Sequence, residues 1–291
     1  MTNEAIQERH KLEQGEFEYF RQFLQQACGI FLGENKQYLV ATRIRGILLE
    51  NNLDSLTAVV DEMKRSRHSR LREKVIDAMT TNETFWFRDN YPFEYLKNTL
   101  LEQLQAQPGA GSIRIWSAAC SSGQEPYSIS MAVEEHRRRF GPGSPRAVQI
   151  VATDLSNTML AQALRGEYDN LSLSRGLSAE RLQAFFDQCG EDRWRLKPAV
   201  RERIDFRALN LMDPFVGLGK FDIIYCRNVL IYFSGELKRD ILRRLHGALK
   251  PGGLLFLGSS EGLAGETGLF EMVHCNPGIV YREKGKVERE K

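Results

Sequence analysis

Apolar positions in the first part of the chain recur at helical spacing: Phe17, Phe20, Leu24 and Cys28, then Val40, Ile44, Ile47 and Leu48 beyond the breaker Gly33. A third stripe follows Asp54 through Leu56, Val59, Val60 and Met63. These stripes predict a small all-helical domain over residues 1–80. Residues 90–104 predict a further helix and 105–111, with a Pro and two Gly, a loop, so that 81–111 forms a linker and connecting helix. The pattern then changes period. Short apolar runs at 113–118, 148–152, 204–209, 221–226 and 254–258 alternate with helical stretches, the signature of a doubly wound α/β sheet over 112–291. The run F-D-I-I-Y-C at 221–226 reads as a strand buried on both faces. Lys250-Pro251-Gly252-Gly253 ends a helix begun at Glu236, and runs at 270–275 and 278–282 predict a closing hairpin.

The first α/β turn concentrates the candidate chemistry. Ile113 to Ser128 reads I-R-I-W-S-A-A-C-S-S-G-Q-E-P-Y-S: an apolar strand, small residues without bulk, then a helix entrance. Gly123 permits a tight turn, and Pro126 is suited to the first helical position, where its missing N–H costs nothing. The arrangement aims a helix N-terminus and the Glu125 carboxylate at whatever lies above the strand ends, although the same turn also joins strand to helix where nothing binds. Asp154, closing the second strand, is suited either to bridging two ribose hydroxyls or to capping the next helix. Ahead of the sheet, T-T-N-E-T-F-W-F-R (80–88) sets three aromatics among Asn82, Thr84 and Arg88, polar groups able to hold the carboxylate and amine of an amino-acid-like ligand. The fourth strand delivers Arg227, Asn228 and, further on, Tyr232 at its carboxyl end.

Composition narrows the classes. A net charge of +2, with 27% charged and 42% hydrophobic residues in 291, describes an ordinary globular protein. No apolar signal core and no run of 18 or more apolar residues is present, which predicts a cytoplasmic protein without membrane insertion. Five scattered cysteines without a C-x-x-C pair argue against a disulfide framework or a metal site. One local excess stands out: Lys64–Lys74 carries six basic residues against one glutamate. It is either a solvated face or a docking surface for an acidic partner, with Arg43, Arg67 and Arg70 as its candidate contacts. It lacks interleaved aromatics and any DNA-reading motif, so no nucleic-acid partner is expected.

Five stretches taken together resemble one family. T-T-N-E-T-F-W-F-R, S-A-A-C-S-S-G-Q-E-P-Y-S, A-T-D-L-S, C-R-N-V-L-I-Y-F and L-K-P-G-G-x-L-x-L-G-x-S-E look like the CheR-type chemotaxis receptor methyltransferases, which are protein-glutamate O-methyltransferases; the likeness runs from about Phe17 to Tyr281. The resemblance implies a class I S-adenosylmethionine-dependent fold, with a doubly wound seven-stranded sheet, a small helical N-terminal domain and a small β-subdomain inserted at about 166–202. It implies S-adenosylmethionine as cofactor and S-adenosylhomocysteine as product. Asn82, Thr84 and Arg88 would hold the methionine part, Glu125 its amino group, Asp154 the ribose, Asn210 and Leu211 the adenine, and Arg227 with Asn228 the region near the sulfonium. The turn has only Gly123 where many class I enzymes carry G-x-G-x-G, a departure typical of this family.

The implied reaction suits these residue types. A substrate glutamate is already ionised near neutral pH, with an ordinary pKa of about 4.3, so an in-line displacement on a sulfonium needs no general base. The enzyme's work is desolvation and orientation. Arg88 either aligns the substrate carboxylate or binds only the cofactor, and Tyr232 either donates to the carboxylate or packs. The implied partners are the cytoplasmic methylation helices of chemoreceptors, met by a monomer. Tether-binding members carry a longer, glycine-richer loop where this chain has Q-C-G-E-D-R-W-R-L-K-P (188–198), so independence from a receptor C-terminal pentapeptide is expected. Two other classes stay open: a small-molecule or nucleic-acid methyltransferase on the same fold, and a cofactor-sensing adaptor without turnover.

Overall fold

The structure is a computed structural model that describes residues 12–65, 69–107, 111–141 and 146–285. The chain forms two compact units, residues 1–81 with 232–237, and residues 82–231 with 238–291.

In the first unit the apolar stripes form helices Gln14–Cys28, Gln37–Glu50 and Leu56–Arg65, which bury Phe17, Phe20, Leu24, Val40, Ile44, Val59, Val60 and Met63. Gly29 ends the first at φ 77°, where its N–H reaches Gln25 O at 3.0 Å. A fourth helix, Arg70–Met79, lies where the sequence showed a basic run. Its buried stripe, Leu71, Val75, Ile76 and Met79, is interrupted by charges that mask its period, and the Ser69 hydroxyl caps it by accepting Arg72 N–H at 3.2 Å.

In the second unit the strands are β1 (Ile113–Ala118), β2 (Val148–Asp154), β3 (Glu167–Asp169), β4 (Phe186–Gln188), β5 (Arg193–Leu196), β6 (Ile204–Ala208), β7 (Phe221–Cys226), β8 (Leu249–Leu257), β9 (Phe270–Cys275) and β10 (Gly278–Glu283). Seven of them build one sheet in the order β6-β2-β1-β7-β8-β10-β9, in which β10 alone runs antiparallel to the other six. The order reverses between β1 and β7, so their carboxyl ends flank the switch point where such sheets bind ligands. β7 is buried along its whole length. β8 begins at Leu249, earlier than its apolar run, because Leu249 pairs with Phe221 across an irregularity before Leu254 takes up the register opposite Ile223.

The remaining strands form a three-stranded sheet in the order β3-β5-β4. It is stitched to the segment 82–90, here called the strap. Trp86, 1% exposed, sets its ring edge-on to Tyr168 and Phe186 at 4.8 and 5.5 Å between centroids. Its indole N–H donates to Ser172 O and its backbone N–H to Arg175 O, both at 3.1 Å. Gly176 lies at φ +98°, and any Cβ there would collide with the Trp86 carbonyl oxygen. The strap therefore packs as part of the small sheet's core. Trp86→Ala is expected to destabilise the second unit by about 3–5 kcal/mol, the cost of emptying a large aromatic site. Urea denaturation followed by tryptophan-independent circular dichroism checks this, and an unchanged midpoint would contradict it.

Candidate functional site

β1 ends between β2 and β7, with Ser117 opposite Ala152 and Tyr225. The chain then turns sharply through left-handed backbone at Ala119 (φ 61°), Ser121 (φ 49°) and Gly123 (φ 96°). Only the last was foreseeable, since alanine and serine rarely adopt it. A Cβ on Gly123 would lie 2.9 Å from Ala163 Cβ and 3.1 Å from the Tyr168 hydroxyl, so this position demands glycine on two counts. Tyr168, on β3, donates that hydroxyl to Ser122 O at 2.6 Å, tying the small sheet to the turn. Helix Gln124–Phe140 follows, starting two residues before Pro126, which falls in the first turn where its lack of an N–H is still harmless.

Glu125 projects from this helix start. One carboxylate oxygen accepts the Ser117 hydroxyl at 2.8 Å and the other accepts Arg227 Nη1 at 3.1 Å. Arg227, leaving β7 with a side chain only 1% exposed, also donates Nη2 to Asp89 Oδ2 at 2.6 Å and to Arg88 O at 2.8 Å. One buried guanidinium thus joins the helix start, the strap and the end of β7. Its Nε is buried without a hydrogen-bond partner among the described residues. Burial pushes the Glu125 carboxyl up from its ordinary 4.5, and Arg227, the Ser117 hydroxyl and Arg88 pull it back only in part.

The strap closes over the turn. Asn82 O accepts the Ser121 hydroxyl at 2.9 Å, and Phe87 N–H donates to the Ser128 hydroxyl at 3.0 Å. Phe87, Asp89 and Asn90 all hold positive φ (49°, 63° and 49°), a concentration of disfavoured backbone found where surrounding contacts over-determine the chain. Arg88 is half-buried, its guanidinium 5.1 Å over the Phe85 ring, and it forms no ion pair among the described residues. Thr84 is half-buried beside it in sequence.

Asp154 closes β2, 7% exposed, its oxygens accepting Ser121 N–H at 2.7 Å and Ser156 N–H at 2.9 Å. The N-cap of the next helix is Ser156, whose hydroxyl accepts Met159 N–H at 3.1 Å, and Asp154 braces the β1 turn through Ser121. Past β6, Asn210 Oδ1 accepts Met212 N–H at 3.0 Å, while Leu211 is 6% exposed. Asn228 follows β7 in left-handed backbone (φ 59°), its N–H on Glu261 Oε2 at 2.6 Å. Asn82, Thr84, Arg88, Glu125, Asp154, Arg227 and Asn228 therefore lie on segments that meet at the ends of β1, β2 and β7. The sequence reading missed Ser117, Asp89, Ser121 and Glu261. Asp89 sits next to Arg88 and Glu261 follows Gly258-Ser259-Ser260, but no local pattern shows what either one binds.

Tyr232 closes a short turn, Leu230–Tyr232, and belongs to the first unit, where its carbonyl accepts Phe31 N–H at 2.8 Å. In that same unit Arg43 spends its guanidinium on Met79 O and Thr80 O at 3.1 and 3.0 Å. Lys64 donates to the Tyr19 hydroxyl and Lys74 to Glu50, at 2.9 and 2.7 Å, whereas Arg70 is exposed. Arg67 lies outside the described residues. No helix among them is long and apolar enough to cross a membrane, and no group of His, Cys, Asp and Glu among them is arranged to hold a metal ion.

The site has what an amino-acid-bearing nucleoside needs: a turn that leaves no room for side chains, a carboxylate at the end of β2, and a guanidinium without an ion pair beside a buried carboxylate. Comparison with known proteins agrees. Residues 82–279 match the family described as "CheR methyltransferase, SAM binding domain", and residues 15–80 match "CheR methyltransferase, all-alpha domain". The chain is 56% identical over 269 residues to Chemotaxis protein methyltransferase 1 of Pseudomonas aeruginosa, covering 92% of this chain and 98% of that one. It is 56% identical over 270 residues to Chemotaxis protein methyltransferase Cher2 of Pseudomonas putida, with the same coverage. The chemotaxis protein methyltransferase of Vibrio parahaemolyticus is 49% identical over 269 residues, covering 92% of this chain and 97% of that one.

The raised Glu125 pKa has a signed consequence for stability. The folded protein holds this proton more tightly than the unfolded chain, so the stabilising contribution is full below pH 4.5 and is lost as pH rises through the folded value. Relative to the isosteric Glu125→Gln variant, the wild type should therefore lose stability as pH rises from 4.5 toward neutrality. Denaturant titrations of both across that range check it; parallel curves would contradict it.

Proposed function

Since this chain belongs to the CheR methyltransferase family and binds S-adenosylmethionine, we propose that it transfers the methyl group to glutamate side chains of chemoreceptors, giving methyl esters. The observation that carries this reading is the state of the acidic groups around the site. Glu125 is held by Ser117 and Arg227, Asp89 by Arg227, Asp154 by two backbone N–H groups, and Glu261 by three. Burial pushes the thiols of Cys120 and Cys226 well above their ordinary value. Every candidate base is committed or protonated. A site of this kind suits a nucleophile that arrives already ionised, which a glutamate carboxylate does and an amine or hydroxyl does not.

The cofactor, when bound, supplies an electrophilic methyl group on a sulfonium. The chain's residues then divide as follows. Arg88, with no ion pair of its own, holds the methionine carboxylate or aligns the substrate's, bordered by Asn82 and Thr84. Glu125 receives the methionine ammonium, whose positive charge offsets the burial of the carboxylate. Asp154, closing β2, accepts the ribose hydroxyls. Asn210 and Leu211 border the adenine. Arg227, enclosed and bonded three ways, acts by fixing Glu125 and the strap, and Asn228 borders the reacting methyl. Tyr232 is the candidate donor to the second oxygen of the substrate carboxylate.

Receptor docking rests on the helical unit. Arg43 is committed to backbone carbonyls, Lys64, Arg65 and Lys74 each hold a partner, and Arg70 adds an exposed charge to the described part of the basic run. Contact with acidic methylation helices of this kind would be screened over about 8 Å at physiological salt. The small sheet supports independence from a receptor tail. Between β4 and β5 the loop closes tightly, with Cys189 N–H donating to Arg193 O at 2.9 Å, and Trp194 of β5 spends its indole N–H on Asn170 Oδ1 at 2.8 Å. The edge strand β4 is only three residues long, a short template for an added peptide strand.

Tritiated cofactor incubated with the protein and receptor-bearing membranes should give base-labile methyl groups on receptors, in equal amounts whether or not the receptors keep their C-terminal tails. Absence of base-labile label would reject the glutamate reading. Loss of label on truncation, or micromolar binding of the isolated pentapeptide by calorimetry, would reject tether independence alone.

A further inference from the structure

Glu261 has no part in the contacts assigned above beyond its bonds to main chain. It sits in the turn after β8, its own N–H donating to Gly258 O at 2.9 Å. Its carboxylate is the meeting point of three backbone donors. Oε2 accepts Asn228 N–H at 2.6 Å and Gly258 N–H at 2.8 Å, and Oε1 accepts Ile231 N–H at 3.2 Å. One side chain thus clamps the turn after β7 to the turn after β8, directly beside the switch point of the sheet.

We infer that Glu261 is a positioning residue for methyl transfer, which holds the 228–231 turn, and Asn228 above all, in the geometry the reaction needs. The inference rests on the proposed placement of Asn228 beside the reacting methyl. Two observations separate this role from ordinary support of the sheet. β7 and β8 are already paired up to Cys226 opposite Leu257, so what the clamp adds lies past the last paired residues. Asn228 also stands in left-handed backbone, φ 59°, one of the conformations open to asparagine, and its N–H is fixed there by Glu261. Gly258 supplies the other jaw. A Cβ there would lie 2.7 Å from both Asn228 Nδ2 and Glu261 Oε2, and 3.0 Å from Asn228 N, so the asparagine amide is pressed flat against a position open only to glycine.

The donor set requires a carboxylate. Three N–H groups converge on two oxygens, and a glutamine in the same place would turn its NH2 toward one of the donors. Glu261→Gln is therefore the diagnostic variant, and Gly258→Ala disturbs the same turn from the opposite side. The full chain is measured for amide hydrogen exchange over 227–231, for S-adenosylhomocysteine affinity by calorimetry, and for kcat and KM of receptor methylation. In both variants the Asn228 and Ile231 amides should exchange about tenfold faster or more, as expected for loss of a charge-assisted hydrogen bond. The kcat should fall about 10- to 100-fold, the scale of a misplaced group, while product affinity stays within about threefold.

Faster exchange with kcat within about threefold of wild type would make the clamp structural only and overturn the inference. Unchanged exchange, or product affinity lost in step with kcat, would overturn it as well. If the wild type transfers no methyl group to receptors, the underlying reading fails and the positioning role with it, while the exchange data still decide whether the clamp exists.

Discussion

The second unit is organised around the burial of a charge. Arg227 leaves β7 with its side chain 1% exposed, and a guanidinium in such a place is tolerable only where opposite charge and hydrogen bonds meet it. Its acceptors come from two segments far from it in sequence, Glu125 at the start of a helix and Asp89 with the Arg88 carbonyl on the strap. Removing any one of them would leave a buried charge short of partners, an effect on the order of several kcal/mol. The strap, the β1 turn and the end of β7 are therefore held in one geometry by electrostatics. The disfavoured φ values at Phe87, Asp89 and Asn90 are the local cost of that arrangement.

A second set of contacts extends the constraint to the small sheet. Trp86 carries the strap into the core formed by Tyr168 and Phe186, and the Tyr168 hydroxyl returns to Ser122 in the β1 turn. The site is bounded on one side by a buried ion network and on the other by aromatic packing. These contacts join groups of the protein alone, and such preorganisation is what favours a transfer reaction.

The fold was largely legible in the sequence, because strand and helix periods differ and because Gly123 and Asn276-Pro277-Gly278 mark turns in residue types whose backbone behaviour is local, whereas Lys250-Pro251-Gly252-Gly253 falls within β8. The fourth helix of the first unit was not, since Arg70, Arg72, Glu73 and Lys74 crowd the stripe formed by Leu71, Val75 and Ile76. Within the site, Glu125 and Asp154 could be singled out by position alone, at a helix entrance and a strand end. What they touch could not. The left-handed backbone of Ala119 and Ser121 belongs to residue types that seldom adopt it, and tertiary contacts impose it. Arg43 looked like a surface charge from its neighbours, yet it satisfies the last carbonyls of a helix that begins far along the chain. Glu261 and Asn228 are brought together only by the pairing of β7 with β8.

The most direct test of this account is the affinity of the Arg227→Lys variant for S-adenosylhomocysteine, measured by calorimetry with circular dichroism to confirm the fold. Lysine keeps the charge but cannot reach Glu125, Asp89 and the Arg88 carbonyl at once. If the buried guanidinium sets the geometry of the site, affinity should fall by about 10- to 100-fold, the scale of lost hydrogen bonds to charged groups. Affinity equal to that of the wild type in a folded variant would contradict it.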